Sequence, residues 1–116
     1  MALQLNQVAF KNAEALIEEG KYRINTVWRE AQPSDNEASQ YFEKVGADDY
    51  AKWFLAVDTN APEGAKDRYK LPVGDFKSVH RSGLLAAKDR AEQNKAGDVS
   101  EAVDELIFLF DRISAC

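Results

Sequence analysis

The chain has 116 residues, 45% of them apolar and 30% charged, with a formal net charge of −5. That length predicts one domain, 1–116, burying roughly 65% of the surface its unfolded chain exposes, enough for a single core and against disorder as the native state. A single cysteine, Cys116, excludes an internal disulfide and a cysteine-ligated metal cluster.

The first residues, MALQLNQVAFKNAEAL, lack the basic start and unbroken apolar run of a secretory leader. Nowhere do about 18 apolar residues follow one another, so no membrane span is expected and a cytoplasmic location is the default. Ala9, Ala13, Leu16 and Ile17 recur at helical spacing, with Asn6 as N-cap and Gly20 as a left-handed stop. The β-branched and aromatic residues of KYRINTVW predict a strand over 22–28.

Ser34 followed by Glu37 forms a capping-box pattern for the next helix, with Gly46 as its stop. DDYAKWFLAVDTN suits helix and strand spacing alike. The turn-forming TNAPEGAK after it decides for a strand over 52–58, entered by a helical turn at 48–51. DRYKLPVGD then returns as the antiparallel partner, giving a hairpin over about 52–73 with Pro72 near its end.

Asp75 is expected to N-cap a helix of about 18 residues beginning FKSVHRSGLLAAK. On that helix Phe76, Val79, His80, Gly83, Ala87, Arg90 and Ala91 share one arc, with Arg90 needing a counterion if buried. Lys77, Arg81 and Lys88 form a basic stripe elsewhere on the wheel. Gly83, Ala87 and Ala91 make a seam for close approach of another backbone. Asp98 and Glu101 suggest a second capping box opening the last helix. Its apolar stripe is Val103, Leu106, Ile107, Phe110 and Ile113, with Phe108 on the opposite side. The fold expected is therefore α+β: a small antiparallel sheet, including the 22–28 strand, against three or four helices.

Charge is unevenly distributed. Residues 66–95 hold 8 basic and 4 acidic groups, a local +4, between flanks of −5 and −4. Such an island either pairs with the acidic flanks or presents an anion-binding face. Phosphate-binding glycine loops and nucleophile elbows do not occur. One histidine excludes a multi-histidine metal site, and no dense carboxylate spacing suggests another metal or a cofactor.

GADDYAKWFLAVD, RYKLPVGDFKSVHRSGLLAAKDRA and the spaced DVSEAVDEL resemble a family of small uncharacterised bacterial proteins sharing a YK-P-GDF--VHR core. YKLP before an Ala-rich helix is more loosely similar to small phage- and prophage-associated proteins. The first resemblance spans about half the chain and implies no activity. It directs attention to residues 67–91.

The function expected is a non-enzymatic binding or protein-interaction module using Arg68, Lys70, Lys77, Arg81 and Lys88. Its partner would be another protein or an acidic ligand, with a homodimer as a further possibility. One alternative is a small enzyme using His80 with Asp75 or Arg81. Another is a weak nucleic-acid binder stacking bases on Trp53, Tyr69 and Phe76, against which the overall acidity argues.

Overall fold

The computed structural model describes residues 2–115; Cys116 lies outside the described residues. Its elements run β1 (Leu3–Leu5), α1 (Gln7–Glu18), β2 (Tyr22–Arg23), α2 (Trp28–Ala31), α3 (Asp35–Ala51), β3 (Phe54–Asp58), a 3-10 turn (Lys66–Arg68), β4 (Tyr69–Pro72), β5 (Val79–His80), α4 (Arg81–Gln93) and α5 (Gly97–Ser114). The α+β class expected from the sequence is the one observed.

Asn6 occupies the N-cap position of α1 without capping it. Its amide instead donates to the carbonyls of Ala51 and Phe54, both at 2.9 Å, tying α1 to the α3–β3 junction. Gly20 ends the helix at φ 82°, where a Cβ would be strained. Ser34 and Glu37 close both halves of the predicted capping box at the start of α3. Gly46 interrupts that helix at φ 85° and ψ 172°, and a further helical turn then leads into β3.

β3 is the centre of a three-stranded antiparallel sheet ordered β1-β3-β4. Leu3 pairs with Asp58 on one side, and Phe54 with Pro72 on the other. The hairpin expected over 52–73 is thus present. The three-residue β1 carried too little period-2 signal to be seen in the sequence.

The strand expected over 22–28 is corrected to two residues. β2 pairs parallel with β5, as Tyr22 with Val79 and Arg23 with His80, outside the main sheet. Trp28 begins a short helix instead.

A second correction concerns residues 75–80. Asp75 Oδ1 accepts from the N–H groups of Lys77 and Ser78, as an N-cap would. Helix does not propagate, because Phe76 stands at φ 67° and Val79–His80 is drawn out to pair with β2. α4 therefore starts at Arg81. Phe76, Lys77, Val79 and His80 leave the helical wheel, and Arg90, expected in its buried arc, is exposed. A third correction is the Asp98–Glu101 capping box. No side chain caps α5, and Asp98, already in its first turn, receives the Leu5 N–H of β1 at 2.8 Å.

The main core joins α1 (Ala9, Ala13, Ile17), α4 (Leu84, Ala87, Ala91) and α5 (Val99, Val103, Leu106, Phe110) to Leu55, Ala56, Val73 and Val79. A second cluster is aromatic. Tyr50, Trp53 and Phe54 are buried in it, and Tyr41, Phe42, Tyr69 and Phe76 pack around them. Among the described residues no helix is long and apolar enough to cross a membrane.

Candidate functional site

The basic island divides among three structural jobs. Arg81 meets Asp111 in a two-pronged pair, Nε to Oδ1 at 2.8 Å and an Nη to Oδ2 at 3.1 Å. Lys88 Nζ meets Asp104 Oδ1 at 2.6 Å, one helical repeat away along the same α4–α5 seam. The hydrogen bond from Arg81 lowers the Asp111 pKa, and the Asp104 contact raises that of Lys88. Arg68 is turned inward on the hairpin loop, donating to the carbonyl of Ala61 at 2.9 Å. Lys77 stands exposed on the 75–78 turn rather than one helical turn from Arg81. The five expected binding residues are therefore not one stripe. Lys70, on β4, and Arg68 line different clefts.

His80 is 4% exposed. Its Nδ1 lies 2.8 Å from Thr26 Oγ1, which in turn lies 3.1 Å from Ser82 Oγ. Nε2 lies 3.2 Å from Asp75 Oδ2, close enough for strong attraction. The ring N–H nevertheless does not point along that line, so Nε2 lacks a well-aligned hydrogen bond. The Asp75 carboxyl pays a desolvation cost, outweighed by the backbone hydrogen bonds from Ser78 and Lys77 and by the nearness of the His80 ring, so its pKa is lowered. The structure thus brings His80 and Asp75 together and turns Arg81 away to Asp111. Thr26 and Ser82 join them, and nothing in the sequence pattern singled them out. Trp28 covers the His80 ring from 6.0 Å.

One of several concave features is a cleft of about 250 Å³ between the start of α3 and β4. Pro33, Asp35 and Ala38 line one side; Lys66, Asp67 and Lys70 line the other. Tyr50, Phe54, Tyr69 and Phe76 supply aromatic surface. Phe76 stacks on Tyr41 at 4.1 Å and 8° between planes, which fixes the ring at the cleft.

Two bulky residues of this wall, Leu71 at φ 63° and Phe76 at φ 67°, hold left-handed backbone. For a residue with a Cβ that conformation costs about 1–2 kcal/mol. Strain of this kind persists where the surroundings over-determine it, and it concentrates at binding sites.

Tyr50 is 2% exposed, and its hydroxyl is not among the buried unsatisfied groups of the described residues, where His80 Nε2 stands. Burial, then the nearby charges of Asp35 and Asp67, push its pKa up to about 12. At neutral pH it remains a protonated phenol, able to donate and to accept. Among the described residues no cluster of three or more His, Cys, Asp or Glu is placed to hold a metal ion.

No family model, curated protein or solved structure matches the chain.

Proposed function

We propose that the protein is a non-enzymatic binding module, and that its ligand seats in the α3–β4 cleft rather than on the α4 face. The observation that carries this is the coincidence of three features at one place: a concave aromatic surface, the lysines Lys66 and Lys70 on its lining, and two strained backbone positions. The α4 face is a weaker candidate, because Arg81 and Lys88 already have carboxylate partners that a ligand would have to displace. Nucleic-acid binding is a weaker reading, because the chain carries a net charge of −5 and Arg81 and Lys88 are taken up by carboxylates.

The test is amide-detected NMR with a mixed set of small aromatic amines, aromatic carboxylates and short peptides. Saturable shifts should gather at Ala38, Tyr50, Tyr69 and Lys70. Ala38→Trp, which fills the cleft, should abolish them, and charge reversal at Arg81 and Lys88 should leave them. Shifts centred on Arg81 and Lys88 instead would reject the cleft.

One observation favours a second reading. Asp75, His80 and Thr26 stand in the order acid, imidazole, hydroxyl, and Thr26 is only partly buried. In that reading Thr26 Oγ attacks an activated ester carbonyl while His80 Nδ1 takes its proton. The proton passes to the leaving alkoxide, and water then cleaves the acyl-Thr26. No cavity is lined by these three residues, which is why the reading ranks second. Turnover of p-nitrophenyl acetate that disappears in Thr26→Val would support it. Equal background rates in both proteins would dismiss it.

A further inference from the structure

We infer that the outer face of the α4–α5 pair docks a second copy of this chain, as a weak two-fold dimer in which α4 of each copy lies across α5 of the other. The inference goes beyond the cleft reading and does not depend on it. It rests on two exposed apolar side chains framed by charges of opposite sign on the two helices.

Phe108, on α5, is 70% exposed, and Leu85, on α4, is 43% exposed. The two helices run antiparallel, tied by the Arg81–Asp111 and Lys88–Asp104 pairs. Leu85 falls between the two cations, four residues after Arg81 and three before Lys88. Phe108 falls between the two carboxylates, four residues after Asp104 and three before Asp111. At those spacings each apolar side chain shares a helix face with its two charged neighbours. Both helices therefore show charge, apolar residue, charge along one face. An exposed apolar patch rimmed by charge marks an interaction surface, which singly scattered apolar residues do not.

The signs of those charges select the occupant. In both pairs α4 supplies the cation and α5 the carboxylate. A two-fold axis running along the α4–α5 seam sets α4 of one copy over α5 of the other. It brings the partner's Arg81 to Asp111, the partner's Lys88 to Asp104 and the partner's Leu85 to Phe108, and symmetry repeats each contact. Every cation then stands between two carboxylates, so no existing pair has to break. An in-plane axis across the helices would set α4 on α4 and α5 on α5, opposing cation to cation and carboxylate to carboxylate. Of these two orientations the charges favour one. In it every neighbouring pair of helices is antiparallel, as in an up-and-down four-helix bundle.

Size and the remaining charges set the strength. The framed patch is about 11 Å long and about 20 Å wide, two turns by two helix diameters, small against the roughly 800 Å² per partner of a standard interface. Exposed Glu92 and Glu101 stand beyond its Lys88–Asp104 end, and exposed Asp89 and Glu105 stand at its flanks. Acid would approach acid at those places, which confines the contact to the patch. The dimer is therefore weak, and the monomer prevails in dilute solution.

The experiment is sedimentation equilibrium of the full chain between about 10 µM and about 1 mM, with variants and a mixing test. The natural protein should pass from monomer toward dimer and no further. Phe108→Ser and Leu85→Ser should each weaken association at least about tenfold, the scale of a lost apolar contact. Phe108→Ser should leave the unfolding midpoint of the dilute monomer nearly unchanged. A fourfold variant, Arg81→Asp, Lys88→Asp, Asp104→Lys and Asp111→Arg, exchanges the signs of the two helices. It keeps each pair within the chain and should dimerise with itself as the natural protein does. It should not pair with the natural protein, since like charges would then face each other. In NMR, the Phe108 amide of isotope-labelled natural protein should shift on adding unlabelled natural protein and stay in place on adding the fourfold variant. A natural protein that stays monomeric throughout, or associates beyond the dimer, would overturn the inference. So would unaltered association of Phe108→Ser and Leu85→Ser, or equal pairing of the fourfold variant with the natural protein. Should the fourfold variant not fold, the two serine variants decide.

Discussion

Asp75 and His80 are joined twice, through the 75–78 turn and through space. Asp75 Oδ1 holds the turn by accepting the N–H groups of Lys77 and Ser78, and Oδ2 stands 3.2 Å from the buried His80 Nε2. Removing the carboxylate would loosen the turn that carries Phe76 into the cleft and also leave the imidazole facing no charge.

This pair predicts an acid limb in the stability profile. The Asp75 pKa is lowered in the folded chain. Its contribution is therefore present above the ordinary carboxylate value of 3.8 and is lost as pH falls through the lower native value. Asp75→Asn should cost about 1 kcal/mol at pH 7, a small figure because the carboxyl is partly solvated. The variant should also show a shallower loss of stability below about pH 4. Urea unfolding at a series of pH values measures both. An acid limb of unchanged steepness would show that Asp75 is not its source.

The Arg81–Asp111 pair should contribute little to stability despite its good geometry. Both groups are largely solvated. A double-mutant cycle of Arg81→Ala and Asp111→Ala should give a coupling of about 0.5 kcal/mol that shrinks in high salt. Coupling of several kcal/mol, insensitive to salt, would contradict the screened surface pair described above.

Gly83 separates helix propensity from packing. Propensity alone says that Gly83→Ala stabilises α4 by roughly 1 kcal/mol. A Cβ there would lie 2.8 Å from Trp28 Cζ3 and 3.0 Å from the Val73 carbonyl oxygen. Destabilisation of about 1–3 kcal/mol is expected from that overlap. A more stable Gly83→Ala protein would mean that Trp28 swings aside without loss, which tryptophan fluorescence in a Trp53→Phe background would report as a change of environment.

Phe108 and Phe110 test the phase of α5. Phe108 is 70% exposed and Phe110 is sealed in the main core. Phe110→Ala should cost about 3–5 kcal/mol. Phe108→Ser should change stability by no more than about 0.5 kcal/mol. Thermal and denaturant melts distinguish the two, and comparable losses would show that Phe108 is covered in solution.

Much of the fold is legible in local chemistry. The Ser34–Glu37 box, the left-handed glycines at 20 and 46 and the apolar stripe of α5 each depend on residues within a turn or two of one another. The hairpin was readable because β-formers flank the turn-rich 59–66 segment. Asp75 shows where such reading stops. Its bonds to Lys77 and Ser78 are those of an N-cap, so the local signal was sound. The helix it announced is displaced by five residues, from a start at Phe76 to Arg81, because β5 gains hydrogen bonds and burial by pairing with β2. Asp98 was likewise diverted to the Leu5 N–H, 93 positions away.

The sequence by itself determined the class of the fold, its two capping glycines, its hairpin and the existence of a basic island in an acidic chain. Only the tertiary structure decided which cations have partners and which residues share a cleft with Tyr50. Helix and turn signals act within a few residues, so they survive in a one-dimensional reading. Ion pairing, the unmet Nε2 of His80 and the gathering of Asp35, Tyr50 and Asp67 on one cleft depend on separations of tens of residues closed by packing. For that reason the island in the sequence was divided, with Arg81 and Lys88 paired to carboxylates and Arg68 to a carbonyl, and the candidate site moved to the cleft beside it.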